Sequence, residues 1–370
     1  MRVVICGGGV IGASIAYFLS RRGLKPIVVE RTVIACAASG KAGGFLARHW
    51  CDGTPLQPLA RHSFDLHAEL AHQSGADWGY RRLVTYGGVA AARAPRRDGA
   101  DHAGVDWVSP RVEIGRQLGS TEDTAQVHPA LFTTAMMRAA QEHGAELRIG
   151  NVTGVRQAAG RVTGVEVDGE VIDADAVVIA MGPWSILAAA WLPLPAVYGL
   201  KGHSLVFATG QAIPAEALFL EYQEGSGEVQ APEFFPRPDG TTYVCAISSE
   251  SPLPIDPASV APDPGAIERL ERICSAVSPA FASATIVARQ ACFRPIARDG
   301  LPLIGRVPGV AGGYIATGHS VWGILNAPAT GEALAELILD GAPRAVDLSP
   351  FDPGRLRPFD PARLRSVRSR

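Results

Sequence analysis

GGGVIG at positions 7–12, set inside RVVICGGGVIGASIAYFLSRRGLKPIVVE (2–30), decides the reading of this chain. Val3 to Cys6 is a short apolar run that stops at glycine. Val10 to Arg22 then shows helical spacing up to Gly23, a residue suited to the position just past a helix end. Ile27 to Glu30 is a second apolar run, and continuous runs of this kind suit strands buried on both faces of a parallel sheet. The order is strand, glycine turn, helix, strand, with GxGxxG at the turn. Gly7 permits the tight turn, Gly9 lets a pyrophosphate approach the backbone, and Gly12 lets the helix pack on the strand. The unpaired N–H groups of the helix start then face the phosphates, and Glu30 is placed to accept hydrogen bonds from an adenosine ribose.

Beyond Glu30 the chain departs from a nicotinamide-dinucleotide domain, which would continue into a third strand and helix. SGKAGGF (39–45) is instead a second glycine-rich loop, able to lie close to a flat ligand. Val152 to Ile172 reads as a three-stranded meander around Ala-Gly and Asp-Gly turns, and Ala176 to Ala180 returns as a core strand. Helices are expected over Leu56–Ser74, Leu131–His143 and Pro264–Val277, and strands over Leu83–Ala92 and Tyr314–Thr317. A last helix runs to Leu339 before Gly341, and Pro328 must start it or kink it. The expected dinucleotide is FAD. The expected fold is α/β: a Rossmann-like FAD-binding domain of the glutathione-reductase type from residues 1–80, 125–197 and 289–345, with a substrate domain on a mainly antiparallel sheet from 81–124 and 198–288. Residues 346–370 form a tail that is Arg-rich from Gly354, carrying Arg355, Arg357, Arg363, Arg365, Arg368 and Arg370, and that Arg-rich part is expected to be solvated or to dock on an acidic partner.

The bulk properties exclude several classes. With 370 residues, 47% hydrophobic and 19% charged, the chain can bury a sizeable core, and a net charge of −2 gives no reason to expect nucleic-acid binding. Six scattered cysteines with no CxxC pair fit a reducing compartment and no metal site. With the first strand expected from Arg2, no leader is expected, and a cytoplasmic location follows. Ala176 to Val197 is uncharged and long enough to span a bilayer, but Pro183, Pro193 and Pro195 would break a spanning helix. A buried strand followed by a short helix is expected there instead.

Further segments complete a family pattern: VHPALF (127–132), VVIAMGPWS (177–185), VYGLKGH (197–203), CFRPIARDGLPLIG (292–305) and ATGHSVWGILNAPATG (316–331). With GGGVIG, Glu30 and SGKAGG they run in order along nearly the whole chain, which resembles the D-amino-acid oxidase, glycine oxidase and sarcosine oxidase family of FAD-dependent amine oxidoreductases. The resemblance implies that Gly7, Gly9, Val10, Ile11 and Gly12 hold the FAD pyrophosphate and Glu30 the ribose, with Arg31 beside it. It implies that Ser39, Gly40, Lys41, Ala42, Gly43, Gly44, Phe45 and Leu46 pass beside the isoalloxazine, and that the Val152 backbone touches the adenine side. Ala180, Gly182 and Trp184 would close over the ADP moiety. Gly318, His319, Ser320, Val321, Gly323 and Ile324 would sit under the pyrimidine edge, where backbone N–H groups stabilise the anion of reduced flavin.

The implied reaction oxidises a C–N bond of an amine or amino acid by hydride transfer to flavin N5, with the imine then hydrolysed. Arg294 would pair with a substrate carboxylate by a bidentate fork, or form a salt bridge at the domain boundary. His319 is a candidate base or a structural residue, and Trp322 a pocket wall or a packing residue. Glycine oxidases carry a second Arg where this chain reads Ser320-Val321-Trp322, so a small amino-acid substrate does not carry over. In sarcosine oxidases a lysine near the flavin speeds reaction with O2, and Pro254 matches its place. The acceptor is thus O2 or another molecule. Cys292 matches the cysteine that sarcosine oxidases bond to the flavin, Arg294 supplying charge for a thiolate; packing is the alternative. The rival functions are a dehydrogenase feeding a quinone or protein acceptor, a flavin-dependent tRNA-modifying module, and a binding protein with a vestigial flavin.

Overall fold

The computed structural model describes residues 1–75, 77–92, 104–360 and 362. Arg363, Arg365, Arg368 and Arg370 of the tail lie outside the described residues. The opening motif folds as strand Val3–Cys6, helix Val10–Arg21 and strand Ile27–Glu30. The two strands lie in the middle of a six-stranded sheet, in the order Leu303–Arg306, Gly313–Thr317, Ala176–Ile179, Val3–Cys6, Ile27–Glu30, Glu146–Ile149. All pairings are parallel except that of the edge strand Leu303–Arg306.

Side chains that alternate across these strands feed two separate cores. Val3, Ile5, Val28, Ala176 and Val178 pack with the helices Val10–Arg21, Gln57–Ser74, Pro129–Glu142 and Gly323–Leu339. Val4, Cys6, Val29, Val177 and Ile179 pack against Val162, Val165, Val167 and Ile172 of the meander Val152–Ala158, Arg161–Val167, Glu170–Asp173. The meander turns are Ala159-Gly160 and Asp168-Gly169, with positive φ at all four residues, as tight antiparallel hairpins require. The apolar stretch from Ala176 becomes the strand Ala176–Ile179 and the short helix Gly182–Ala190. Among the described residues no helix is long and apolar enough to cross a membrane.

The second large sheet has eight strands. Its path runs Thr285–Ala297, Val197–Ala208, Thr241–Ser249, Glu233–Pro236, Glu216–Gln223, Val84–Ala91, Val112–Gly119, with Val229–Gln230 added to Glu216–Gln223. Pairings are antiparallel apart from that of Glu216–Gln223 with Val84–Ala91. Helix Ala266–Val277 covers one face through Ile267, Leu270, Ile273, Cys274 and Val277. The other face carries Phe235, Tyr243 and Cys245 and turns towards the first sheet's ligand edge.

The last helix begins at Gly323, so Pro328 lies inside it rather than at its start. Proline offers no N–H to the carbonyl four residues before it, here that of Ile324. His67 Nε2 supplies the missing donor at 2.9 Å, and the Ala329 amide donates to Ser63 Oγ at 3.1 Å. Burial lowers the His67 pKa to about 4, so its ring is neutral at physiological pH. Gly331 brings this helix against Val10–Arg21 so closely that a Cβ would stand 2.7 Å from the Ser14 carbonyl carbon. The His67 bond is testable by a double-mutant cycle. His67→Leu leaves the Ile324 carbonyl buried and unpaired, at a cost of about 1–3 kcal/mol in urea unfolding. Pro328→Ala restores an amide to that carbonyl, so the same His67→Leu change costs measurably less in that background; equal costs would assign the effect to packing alone.

Candidate FAD and substrate site

The glycine turn is held from three sides. The Gly8 amide donates to Glu30 Oε2 at 2.7 Å, tying the turn to the end of the second strand. A Cβ on Gly12 would lie 2.0 Å from the Gly7 carbonyl oxygen, and one on Gly7 (φ +115°) 2.4 Å from that of Ala180. These glycines let strand, turn and helix meet at backbone distance. Ser39 Oγ accepts from the Val10 amide at 2.9 Å, and the first helical turn carries no acidic residue. The positive pole of the helix is therefore open to an anion from the cavity. A pyrophosphate suits it.

Twenty of the residues expected at the site line one cavity: Gly7, Gly9, Val10, Ile11, Glu30, Arg31, Ser39, Ala42, Gly43, Val152, Ala180, Gly182, Trp184, Cys292, Arg294, His319, Ser320, Val321, Gly323 and Ile324. The others do structural work. Gly12 is the packing point just described, Gly40 fits under the Ala35 carbonyl and Gly44 against that of Val127. Leu46 is buried in the core, Phe45 stacks on Phe235, and Gly318 sits at φ +80° against Pro302. Lys41 Nζ donates to the Ala291 carbonyl at 3.3 Å. Trp322 lies outside the cavity wall, edge-on to Trp50 with ring centres 6.5 Å apart and packed on the helical core, which favours the packing role.

Three further expectations change. His319 Nε2 pairs with Thr330 Oγ1 at 3.1 Å, and burial lowers its pKa to about 3, so the ring is neutral at neutral pH and a weak proton acceptor, which favours the structural role. The Cys292 thiol is pushed up from its ordinary value by burial; Arg294 and Lys41 oppose this without overcoming it, and the thiolate needed for a flavin bond is not favoured. Pro254, matched to the lysine near the flavin, has its carbonyl on Trp184 Nε1 at 2.7 Å, while Arg31 Nη1 donates to the neighbouring Ile255 carbonyl at 2.9 Å. That segment lies at the Glu30 end of the cavity, where the adenosine is expected.

Arg294 is placed by a glycine in the next strand. Gly202 pairs with Cys292 across the Val197–Ala208 and Thr285–Ala297 strands, and a Cβ on Gly202 would lie 3.1 Å from Arg294 Nη2. The guanidinium thus lies flat across Gly202 and reaches Ser248 Oγ at 3.3 Å. Sequence reading did not single out Gly202, Glu233, Tyr243 or Cys245, which line the same cavity. Gly202 falls within VYGLKGH (197–203) without being marked there, and the other three sit in strands with no motif, brought beside it by the order of the eight-stranded sheet. The neighbouring Lys201 is ion-paired with Asp263, and His203 has both ring nitrogens occupied, by the Ile247 carbonyl and the Asp263 amide.

Residues 2–337 match the family model described as FAD dependent oxidoreductase (DAO). A Schizosaccharomyces pombe protein provisionally named an oxidoreductase is 31% identical over 95% of this chain and 97% of its own. A glycine oxidase of Pseudomonas putida is 28% identical over 96% of this chain and 99% of its own. The crystal structure of glycine oxidase from Geobacillus kaustophilus superposes with a TM-score of 0.79 at 25% identity, covering 95% of this chain and 98% of that one. The chain belongs to the DAO family: it is an FAD-dependent oxidoreductase. Two outcomes are expected of the purified protein. Gly9→Leu, whose side chain enters the cavity beside Ser39, folds but retains little FAD, as absorbance of the desalted protein will read. Acid precipitation of the wild type leaves the yellow colour in the supernatant, because the buried Cys292 thiol does not attach it; a yellow pellet abolished by Cys292→Ser would show the bond.

Proposed function

We propose that this enzyme oxidises the C–N bond of an amino acid or a related amine that carries a carboxylate. The observation that carries the reading is Arg294. It is a permanently charged side chain in the cavity shared with the dinucleotide turn, and its hydrogen bond among the described residues goes to a neutral hydroxyl. A guanidinium so placed suits a carboxylate in bidentate geometry. The glycine oxidases among the relatives act in name on an amino acid, which supports the same substrate class.

FAD, when bound, supplies the hydride acceptor and so the redox chemistry. The chain's own residues do the rest. In this reading residues 1–80, 125–197 and 289–345 carry the FAD, and 81–124 with 198–288 provide the substrate sheet. Arg294 fixes the carboxylate and thereby the α-carbon, Gly202 leaves the room that lets it do so, and Tyr243 and Cys245 provide a wall that excludes water. The neutral His319 with Ser320 and Val321 shapes the floor at the start of the last helix. A second reading, transfer of electrons to an acceptor other than O2, has one observation in its favour. Lys25 is exposed, Lys41 is bonded to Ala291 and Lys201 to Asp263, so none of the three lysines lines the cavity.

An anaerobic screen of amino acids and amines, watching the flavin bleach, tests the reaction directly. For the acidic substrates so found, Arg294→Ala weakens kcat/KM by an amount on the order of 2–5 kcal/mol, and much less for an amine without a carboxylate. Equal losses for both classes would overturn the carboxylate role. Stopped-flow mixing of the reduced enzyme with O2 separates the acceptors, with slow reoxidation expected.

A further inference from the structure

Glu233 is an acidic side chain in the same cavity that the carboxylate reading leaves unused. It stands on the strand Glu233–Pro236, opposite Cys245 on one neighbouring strand and Phe219 on the other. It lines the cavity together with Arg294, Tyr243, Cys245 and Cys292. Its hydrogen-bond partner among the described residues is the Cys245 thiol, 3.4 Å from Oε2. No ion pair joins it to Arg294 or to any other described residue. Aromatic rings flank it on this face: Phe219, opposite it on the neighbouring strand, meets Phe235 edge to face at 5.4 Å, and Phe235 stacks on Tyr243 at 6.2 Å. An acidic group on an aromatic wall is a surface that receives an organic cation.

We propose that Glu233 is a subsite for an ammonium group, so that the preferred substrate presents a cationic nitrogen to Glu233 and its carboxylate to Arg294. The inference rests on the carboxylate reading of Arg294. The nitrogen has two possible sources. One is the amine to be oxidised, in which case the N–H bond of R–NH3+ breaks, the proton passes to the Glu233 carboxylate and a neutral R–NH2 remains. The other is a second cationic group further along the substrate, which keeps its charge.

The charges facing Glu233 are consistent with this role. Burial pushes its carboxyl up from the ordinary value, and Arg294 and the Cys245 thiol pull it part of the way back. Cys245, Tyr243 and Cys292 are themselves pushed up by burial and stay protonated near neutral pH, and Arg294 keeps its charge throughout. Phe219 on the other flanking strand carries none. Glu233 is therefore the group of this wall that titrates, and a cation beside it favours its ionised form. Affinity for a cation should rise with pH until the carboxyl is fully ionised, then level off.

The test uses the FAD-loaded enzyme and unreactive probes in isosteric pairs, with binding read from perturbation of the flavin absorbance. Glycine betaine against tert-butylacetate places the cation next to the carboxylate. γ-Guanidinobutyrate against 6-methylheptanoate places it further away. The wild type is expected to bind the cationic member of one pair about tenfold tighter than its neutral partner, with an affinity that rises with pH. In Glu233→Gln the preference and the pH dependence both disappear, and Glu233→Asp keeps part of each. A preference within the betaine pair assigns the subsite to the reacting nitrogen, and one within the guanidino pair to a distal group. Equal binding of both members of both pairs by the wild type overturns the proposal, as does a preference that survives in Glu233→Gln. Arg294→Ala provides the separate control: if it binds the neutral carboxylates as well as the wild type does, the Arg294 reading is what fails.

Discussion

The hydrogen bond from the Gly8 amide to Glu30 Oε2 is the constraint on which the site depends. It joins the turn after the first strand to the end of the second, and it holds because the glycines leave no side chain in the way. Glu30 also accepts from the Thr32 amide and hydroxyl, so one carboxylate orders both the turn and the chain leaving the second strand. The same turn lies against the Ala180 carbonyl at the end of a third strand. Three parallel strands thereby end at one place, with the helix N-terminus aimed into the cavity between them. An α/β sheet binds ligands at the carboxyl ends of its strands for this reason.

The second sheet solves a different problem, namely how to hold charge in an apolar wall. On that face Tyr243 and Cys245 line the cavity with Phe235 packed behind them, and a guanidinium laid there would lose solvation without a partner. Gly202 lets Arg294 lie down across its neighbour strand, where Ser248 takes one N–H and the side chain lines the cavity. Such a group is costly to bury and therefore strongly selective for an anion that can replace its water.

The fold was legible because its elements carry local signals. The apolar strands, the Gly23 helix stop, the paired turns at Ala159-Gly160 and Asp168-Gly169 and the breaks at Pro183 and Pro193 can each be read within a few residues. The dinucleotide turn and Glu30 were legible for the same reason. The cavity wall on the second sheet was not. Glu233, Tyr243 and Gly202 lie on three different strands, and only the hydrogen-bonded order of those strands sets them beside Arg294. Where sequence reading left a lone residue open between chemistry and packing, burial favours packing. His319 and Cys292 are both titratable types in suggestive positions, and desolvation lowers the pKa of the first and raises that of the second. Trp322 shows the same limit in packing terms: adjacent to cavity residues in sequence, it turns towards Trp50 and the helical core.

Pro328 shows how the two kinds of constraint meet. A proline inside the last helix leaves the Ile324 carbonyl without its helical donor, at the turn of helix whose residues Gly323 and Ile324 line the cavity. An unpaired carbonyl there would attract water or a ligand's donor. The neutral ring of His67, from the helix Gln57–Ser74, takes that carbonyl instead. The helix start is thus anchored from behind by a neighbouring helix, while its residues Gly323 and Ile324 line the cavity. A hydrogen bond made behind the cavity wall fixes the backbone that forms the wall.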